Sequence, residues 1–234
     1  MIWIILGVVA FGVLLCFLLA IANHSGERFL ERYEEVDKIE VRNDIAPIEF
    51  VAQINEKHFN KKLKVIEISD MAADAYSKGN LFLSWKTLRN NSIASFTIMA
   101  HELGHALQDK EGNKLKKLNF LRRLGRVLGL LLVPSFLAGG ILLLFGEKFF
   151  YWGVALLGVG GFIFLLALFI KLRTISIEKD ASKKAIILLQ DYLNEKELKE
   201  SKKFLNDAKL TYWADFLRIF LWWSGMSRKT KLFN

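Results

Sequence analysis

The sequence predicts a mainly α membrane protein, with three transmembrane helices, a small α+β unit and an interfacial C-terminal helix. Three observations carry that expectation. Of 234 residues, 53% are hydrophobic and yet 24% are charged. The two populations are segregated, because residues 1–26, 127–146 and 149–170 contain no Asp, Glu, Lys or Arg at all. Each charge-free stretch reaches the roughly 20 residues that a helix needs to cross a bilayer. With only two prolines and 13% aromatics the chain is not disordered, and one cysteine excludes a disulfide scaffold.

The first region, 1–26, holds a span from about Ile2 to Ala22. It lacks the basic start and short apolar core of a cleaved leader, so it reads as a retained anchor. Cys16 within it reads as apolar filler. The region 127–170 holds two further spans, about Val127–Gly146 and Phe149–Ile170, separated only by Glu147 and Lys148. They predict a tight hairpin whose outer ends face the same side. Pro134 predicts a kink that membrane helices tolerate. Gly139–Gly140 facing Gly158, Gly160 and Gly161 predicts a close approach.

Six cations and no acid precede the hairpin (Lys114, Lys116, Lys117, Arg122, Arg123, Arg126), and Lys171, Arg173, Lys179, Lys183 and Lys184 follow it. By the positive-inside rule the charged bulk is cytoplasmic and the N-terminus outside, in a multi-pass protein of the cell membrane. The net charge of +9 is then a topology signal directed at the lipid bilayer, and no nucleic acid partner is expected.

The water-facing region 27–126 reads as helix, strand, strand, helix. Ile48, Val51, Ala52 and Ile54 recur at helical spacing after Pro47, a favoured first-turn residue. Lys62–Ser69 alternates as a strand does, and Leu81–Trp85 after the Gly79–Asn80 turn reads as a second strand. Asn90, Asn91 and Ser92 offer caps for a helix from about Ile93 to Asp109, with Ile93, Phe96, Ala100 and Leu103/Gly104 on its apolar face. In the region 171–234, Glu178 to about Lys209 is helical in pattern. Tyr212–Gly225, apolar and aromatic but carrying Asp215 and Arg218, predicts a helix lying at headgroup depth. A fourth span is the alternative there.

The chemistry concentrates in His101-Glu102-Leu103-Gly104-His105, which uses two of the four histidines. Four residues apart on a helix, both imidazoles share one face and can each give a nitrogen to one zinc ion. Glu102 beside them can take a proton from water activated by Zn²⁺. This is the zincin signature, which makes the unit zincin-like. Gly104 and Ala100 are expected to leave room near the metal. No histidine follows His105, and Gln108 and Glu111 stand where the longer metzincin pattern has its Gly and third His. His24 and His58 lie upstream, so a carboxylate is the better third ligand. Glu178 is best placed, because the hairpin returns the chain to the side of His101 and His105. It is expected to open a helix whose small residues Ala181, Ser182 and Ala185 press against the motif helix. Asp180 is the candidate to hydrogen-bond a ligand histidine and fix its tautomer.

Several blocks resemble one family. Leu83-Ser84, Ser92-Ile93-Ala94 and Ala100–Gln108 (AHELGHALQ) resemble the strand-plus-helix block of the YugP-type neutral zinc metallopeptidases of bacterial membranes. Thr174–Ala185 (TISIEKDASKKA) is similar to that family's T-x-P-x-E-F-D-A-S-R-R-A block, and Leu210-Thr211-Tyr212 to its A-L-T-Y. The likeness covers most of the chain and implies a zinc peptidase with Glu178 as third ligand. Ser176 stands for the usual Pro and Lys179 for Phe, and ISDMAADAYSKG replaces the Asp-His-Tyr-Asp-Pro stretch before the second strand. The layout also resembles the broader membrane gluzincins.

The reading is a membrane-anchored zinc metallopeptidase that hydrolyses peptide bonds of a protein or peptide substrate. A catalytically idle scaffold of the same fold and an intramembrane-type protease are the alternatives. The Leu81–Trp85 strand is the expected edge for an extended substrate, and Tyr76 and Tyr212 are the candidates to stabilise an oxyanion. Nothing in the sequence specifies an oligomeric state.

Overall fold

The computed structural model describes residues 2–42, 45–112 and 114–223. In chain order these form α1 (Ile2–Asp37), α2 (Pro47–Phe59), β1 (Lys64–Ile68), β2 (Ala75–Ser77), β3 (Asn80–Ser84), α3 (Trp85–Arg89), α4 (Ile93–Glu111), α5 (Lys114–Leu144), α6 (Glu147–Leu189) and α7 (Glu195–Trp223). The protein is mostly helical, with one small sheet.

No break occurs at residue 26, where the anchor was expected to end. α1 continues to Asp37 and lays its charged half on α7. There Phe29 stacks on Phe204 with ring centroids 5.3 Å apart, and Arg32 Nε donates to Asp207 Oδ2 at 3.2 Å. In α2 the buried stripe is Pro47, Phe50, Val51 and Ile54. Ile48 and Ala52, expected to share it, face out.

The sheet runs in the order β1-β3-β2, with β1 parallel and β2 antiparallel to β3. β3 is therefore central, and Leu81 and Leu83 on it are fully buried. This corrects the expected role of Leu81–Trp85 as a free edge, since both edges of β3 are occupied. β1 is largely exposed despite its alternating sequence, as an edge strand with only β3 beside it. β2 escaped the sequence reading, as three residues are too few to show a period. It is joined to β3 through Lys78 and Gly79, whose φ values of 47° and 81° are those of a type I′ hairpin turn. Trp85 leaves the sheet because the Ser84 hydroxyl accepts the Thr87 N–H at 3.2 Å and caps α3.

Ser92 caps α4 in the same way, accepting the Ser95 N–H at 3.2 Å. α4 is the core helix. It is buried almost without interruption from Ile93 to Ala106, where the sequence suggested one apolar face. Around it lie α1, α5, α6, α7 and the sheet.

α5 continues across Pro134 and turns at Gly146 (φ 87°) into α6. The arms touch through Gly139 and Gly153. A Cβ on Gly139 would sit 3.0 Å from the Gly153 carbonyl oxygen, and one on Gly153 would sit 3.0 Å from that of Gly139. Gly160 packs on the Phe136 ring, whereas Gly140, Gly158 and Gly161 face open space. The predicted glycine pairing is thus corrected to Gly139 with Gly153.

α6 is one helix of 43 residues, about 65 Å long. Glu178 lies well inside it and does not open a helix, because no proline or glycine interrupts the chain between Phe162 and Leu189. Membrane arm and ligand helix are one rod. The next break comes at Asn194, whose Oδ1 accepts the N–H groups of Lys196 and Glu197 at 3.0 Å while Glu197 Oε2 accepts the Asn194 N–H at 2.9 Å. That capping box starts α7. It divides the helix expected over 178–209 and merges its second half with the segment from Tyr212. Gly225, the expected end of the interfacial helix, lies outside the described residues.

Among the described residues two helices, Lys114–Leu144 and Glu147–Leu189, are long and apolar enough to cross a membrane. Their most apolar windows are only 22% buried, unlike the core helix of a water-soluble protein.

Candidate metal centre

α4 sets His101 and His105 one turn apart, with ring centroids 4.8 Å from each other and planes nearly perpendicular. Their Nε2 atoms converge on one carboxylate oxygen, Glu178 Oε2, at 3.4 and 3.2 Å. Each of the three side chains offers a ligand atom, all lie within 4.8 Å of one another, and all three residues are buried. Two imidazoles and a carboxylate are a group that could hold a metal ion, of the same donor types as the His₂Glu set of catalytic zinc sites.

Close packing of α4 on α6 makes this convergence possible. A Cβ at Gly104 would fall 2.5 Å from the carbonyl oxygen of Ala181. Gly104 therefore makes room for the α6 backbone; it does not make room for a metal, as the sequence suggested. Ala181, Ser182 and Ala185 are buried on the facing side, as their small size predicted.

Further side chains hold the ligands in place. His105 Nδ1 lies 3.0 Å from Gln108 Oε1, and Gln108 Nε2 donates to Ile177 O at 2.8 Å and to Asp180 Oδ2 at 2.9 Å. Asp180 thus reaches the histidine through Gln108 and makes no bond of its own to a ligand ring. The sequence reading missed Gln108 as the intermediary, although its i+3 spacing from His105 was visible. His101 Nδ1 faces Ser182 Oγ at 3.4 Å. Such outer contacts fix tautomer and ring orientation.

Glu102 points into the same cavity, of about 210 Å³, and accepts the Tyr76 backbone N–H at 2.7 Å. The Tyr76 hydroxyl is committed elsewhere, donating to Asp109 Oδ2 at 3.0 Å and accepting the Gly79 N–H at 2.9 Å. Tyr212, brought in by α7, does reach the site and donates to Glu178 Oε2 at 3.1 Å. Arg122 Nη2 donates to the other oxygen, Oε1, at 2.6 Å. In the sequence Arg122 was one of six flanking cations, and no spacing signal set it apart. His24 and His58 are absent from the cluster.

The electrostatics follow from these contacts. Burial pushes Glu178 toward protonation, but the hydrogen bonds to His101 and His105 and the charge of Arg122 hold it well below the usual carboxylate range. Burial raises Glu102, and the histidines only partly offset this. Burial works to lower His105, yet its hydrogen bond to Glu178 and that group's charge lift it to about 9.

A metal ligand must be a neutral imidazole, so metal binding below pH 9 has to displace a proton from His105. Zinc affinity of the metal-free protein is accordingly expected to rise with pH, by up to about tenfold per unit, and to level off near 9. Calorimetric titrations in buffers of different ionisation enthalpy measure the released proton. A flat affinity between pH 7 and 9 would contradict the assignment.

A relative described as "Putative membrane protease YugP", from Bacillus subtilis (strain 168), is 31% identical over 134 residues. The match covers 56% of this chain and 56% of that relative, so the chain matches little more than half of the relative's length. No solved structure matches significantly. The family described as "Putative neutral zinc metallopeptidase" matches residues 8–223, a stretch that takes in His101, Glu102, His105, Glu178 and Tyr212. With nearly its whole length inside that match, the chain belongs to this family.

Proposed function

We propose that the protein is a membrane-anchored zinc metallopeptidase. The observation that carries this reading is the buried convergence of His101, His105 and Glu178 with Glu102 on the same cavity. The donor set fits Zn²⁺ in kind and number, two neutral-capable nitrogens and one ionised oxygen, with Arg122 and Tyr212 ordering the carboxylate. When bound there, zinc would polarise the scissile carbonyl and lower the pKa of water toward about 7.

The chain's own groups supply the rest. Glu102, raised by burial, accepts a proton from the attacking water and passes it to the leaving amine. The N–H of Tyr76 keeps one Glu102 oxygen in place during both transfers. Arg122, which spends one N–H on Glu178 and keeps others, lines the cavity as a donor able to meet negative charge on the substrate carbonyl oxygen. The hydroxyls of Tyr76 and Tyr212 are turned to Asp109 and Glu178 and leave that role to it. β2 lines the same cavity, and an extended substrate backbone is proposed to lie along it instead of along β3.

α1, α5 and α6 are proposed to cross the bilayer, with the charged bulk cytoplasmic, the N-terminus outside and no nucleic acid partner. The cations flanking the α5–α6 hairpin support that orientation. A reporter fused after Lys117 is expected inside the cell, and its appearance outside would reverse the topology. The regions 27–126 and 171–234 then form one catalytic unit, because the first supplies both histidines and the second supplies Glu178. The purified protein is expected to hydrolyse unfolded casein, to lose that activity to a chelator, and to regain it with stoichiometric zinc. Activity that survives complete metal removal would sink the reading.

A further inference from the structure

We infer that the substrate class is the membrane-proximal segment of bilayer-anchored proteins, cut a few residues outside the hydrocarbon. This rests on the peptidase reading and on the hairpin crossing the bilayer. α5 leaves its last charge at Arg126, and α6, after Glu147 and Lys148 at the hairpin turn, carries its next at Lys171. These positions mark the edge of the hydrocarbon on two independent arms.

Both arms then run unbroken into the site. Arg122 lies five residues before Val127 on α5, and Glu178 lies eight residues after Ile170 on α6. At 1.5 Å per helical residue, the site stands about 8 Å above the edge by one arm and about 12 Å by the other. Headgroups occupy roughly 5–8 Å on each side of a bilayer.

Over this stretch the two arms are fastened to each other. Gly125 meets Ile170, Leu121 and Leu128 pack with Ala167 and Ile170, and Arg122 bonds Glu178. The arms are therefore locked side by side from Gly139 to the metal site. The cavity wall itself includes Leu115, Leu118, Asn119 and Arg122, the first turns of the helix that enters the bilayer. A peptide bond reaching this cavity from a neighbouring transmembrane segment has to rise about 8–12 Å. An extended chain covers that in about three to four residues, at about 3.3 Å each. Soluble chains gain nothing from such an address, whereas a chain anchored beside the hairpin is presented at the right height by the bilayer itself.

The test uses the full chain in phosphatidylethanolamine–phosphatidylglycerol vesicles. The probe is a single-span protein carrying an unstructured Ala-Leu-Ser-Gly repeat at both ends, so that chemically equivalent bonds recur at every height. Cut positions are read by mass spectrometry. Cuts are expected within about three to six residues of the span. A Gly-Ser spacer of about 20 residues placed before the repeat is expected to lower cleavage at least tenfold. The spacer leaves the substrate in the same membrane and so separates height from co-localisation.

Cuts spread evenly along the repeat, cuts inside the span, or casein and the free repeat cleaved as fast as the anchored one would overturn the height rule alone. If wild type and Glu102→Gln are indistinguishable on every probe, casein included, the peptidase reading itself falls and the height rule with it.

Discussion

Glu178→Ala is expected to lose bound zinc while His101 and His105 remain in place. Two imidazoles four residues apart still share a face, but they no longer have the anion that completes the set. Removing a group that merely orients a metal ligand typically costs about 10- to 100-fold in affinity, so loss of a ligand itself should exceed that. The substitution also leaves the guanidinium of Arg122 and the hydroxyl of Tyr212 without their partner. Arg122 is partly exposed and can rehydrate; Tyr212 is buried and cannot. Glu178→Gln keeps the shape and an acceptor oxygen for Tyr212, and so separates ligand loss from packing loss. Metal analysis of both purified variants is the measurement, and an unchanged zinc content would remove Glu178 from the ligand set. Asp180→Ala should weaken zinc more mildly, because it reaches His105 only through Gln108.

The opposite pattern is expected of Glu102→Gln, which should keep its zinc and lose turnover. Gln preserves the volume and can still accept the Tyr76 N–H, so fold and metal site are left intact. What disappears is the carboxylate that takes up and returns the proton, a contribution of about 10²- to 10⁴-fold. Casein hydrolysis at matched zinc occupancy measures it. Turnover within a few-fold of wild type would dismiss Glu102 as the general base. A wild type as inactive as the variant would instead favour the idle scaffold.

Taken together the two variants divide the site into a part that holds metal and a part that moves a proton. That division was already visible in the HELGH motif, because its logic is local. His101 and His105 face one way because a helix repeats every 3.6 residues, and Glu102 follows the first of them wherever the helix goes. The helix bounds were equally legible, since Ser92 supplies its own cap. The sheet was read less well. β1 and β3 announced themselves, but their order did not, and β2 at three residues carried no pattern. The expected substrate edge therefore went to the wrong strand.

Sequence alone determined two of the three lengths expected to cross a bilayer, those in α5 and α6, the His-Glu-His triplet, and the return of Glu178 to the two histidines. Each is set by spacing within one element or by the count of residues between two. Tertiary structure decided everything that depends on two rods lying side by side. It showed that Gly104 yields to the Ala181 carbonyl. It also gave Gln108 the contact with His105, and brought Arg122 and Tyr212 onto the two oxygens of Glu178. Arg122 is 56 residues from Glu178 and Tyr212 is 34, separations that leave no periodic trace. Such contacts arise from the packing of α4, α5, α6 and α7 around one carboxylate, and packing is a property of surfaces in space, not of the order of residues along a chain.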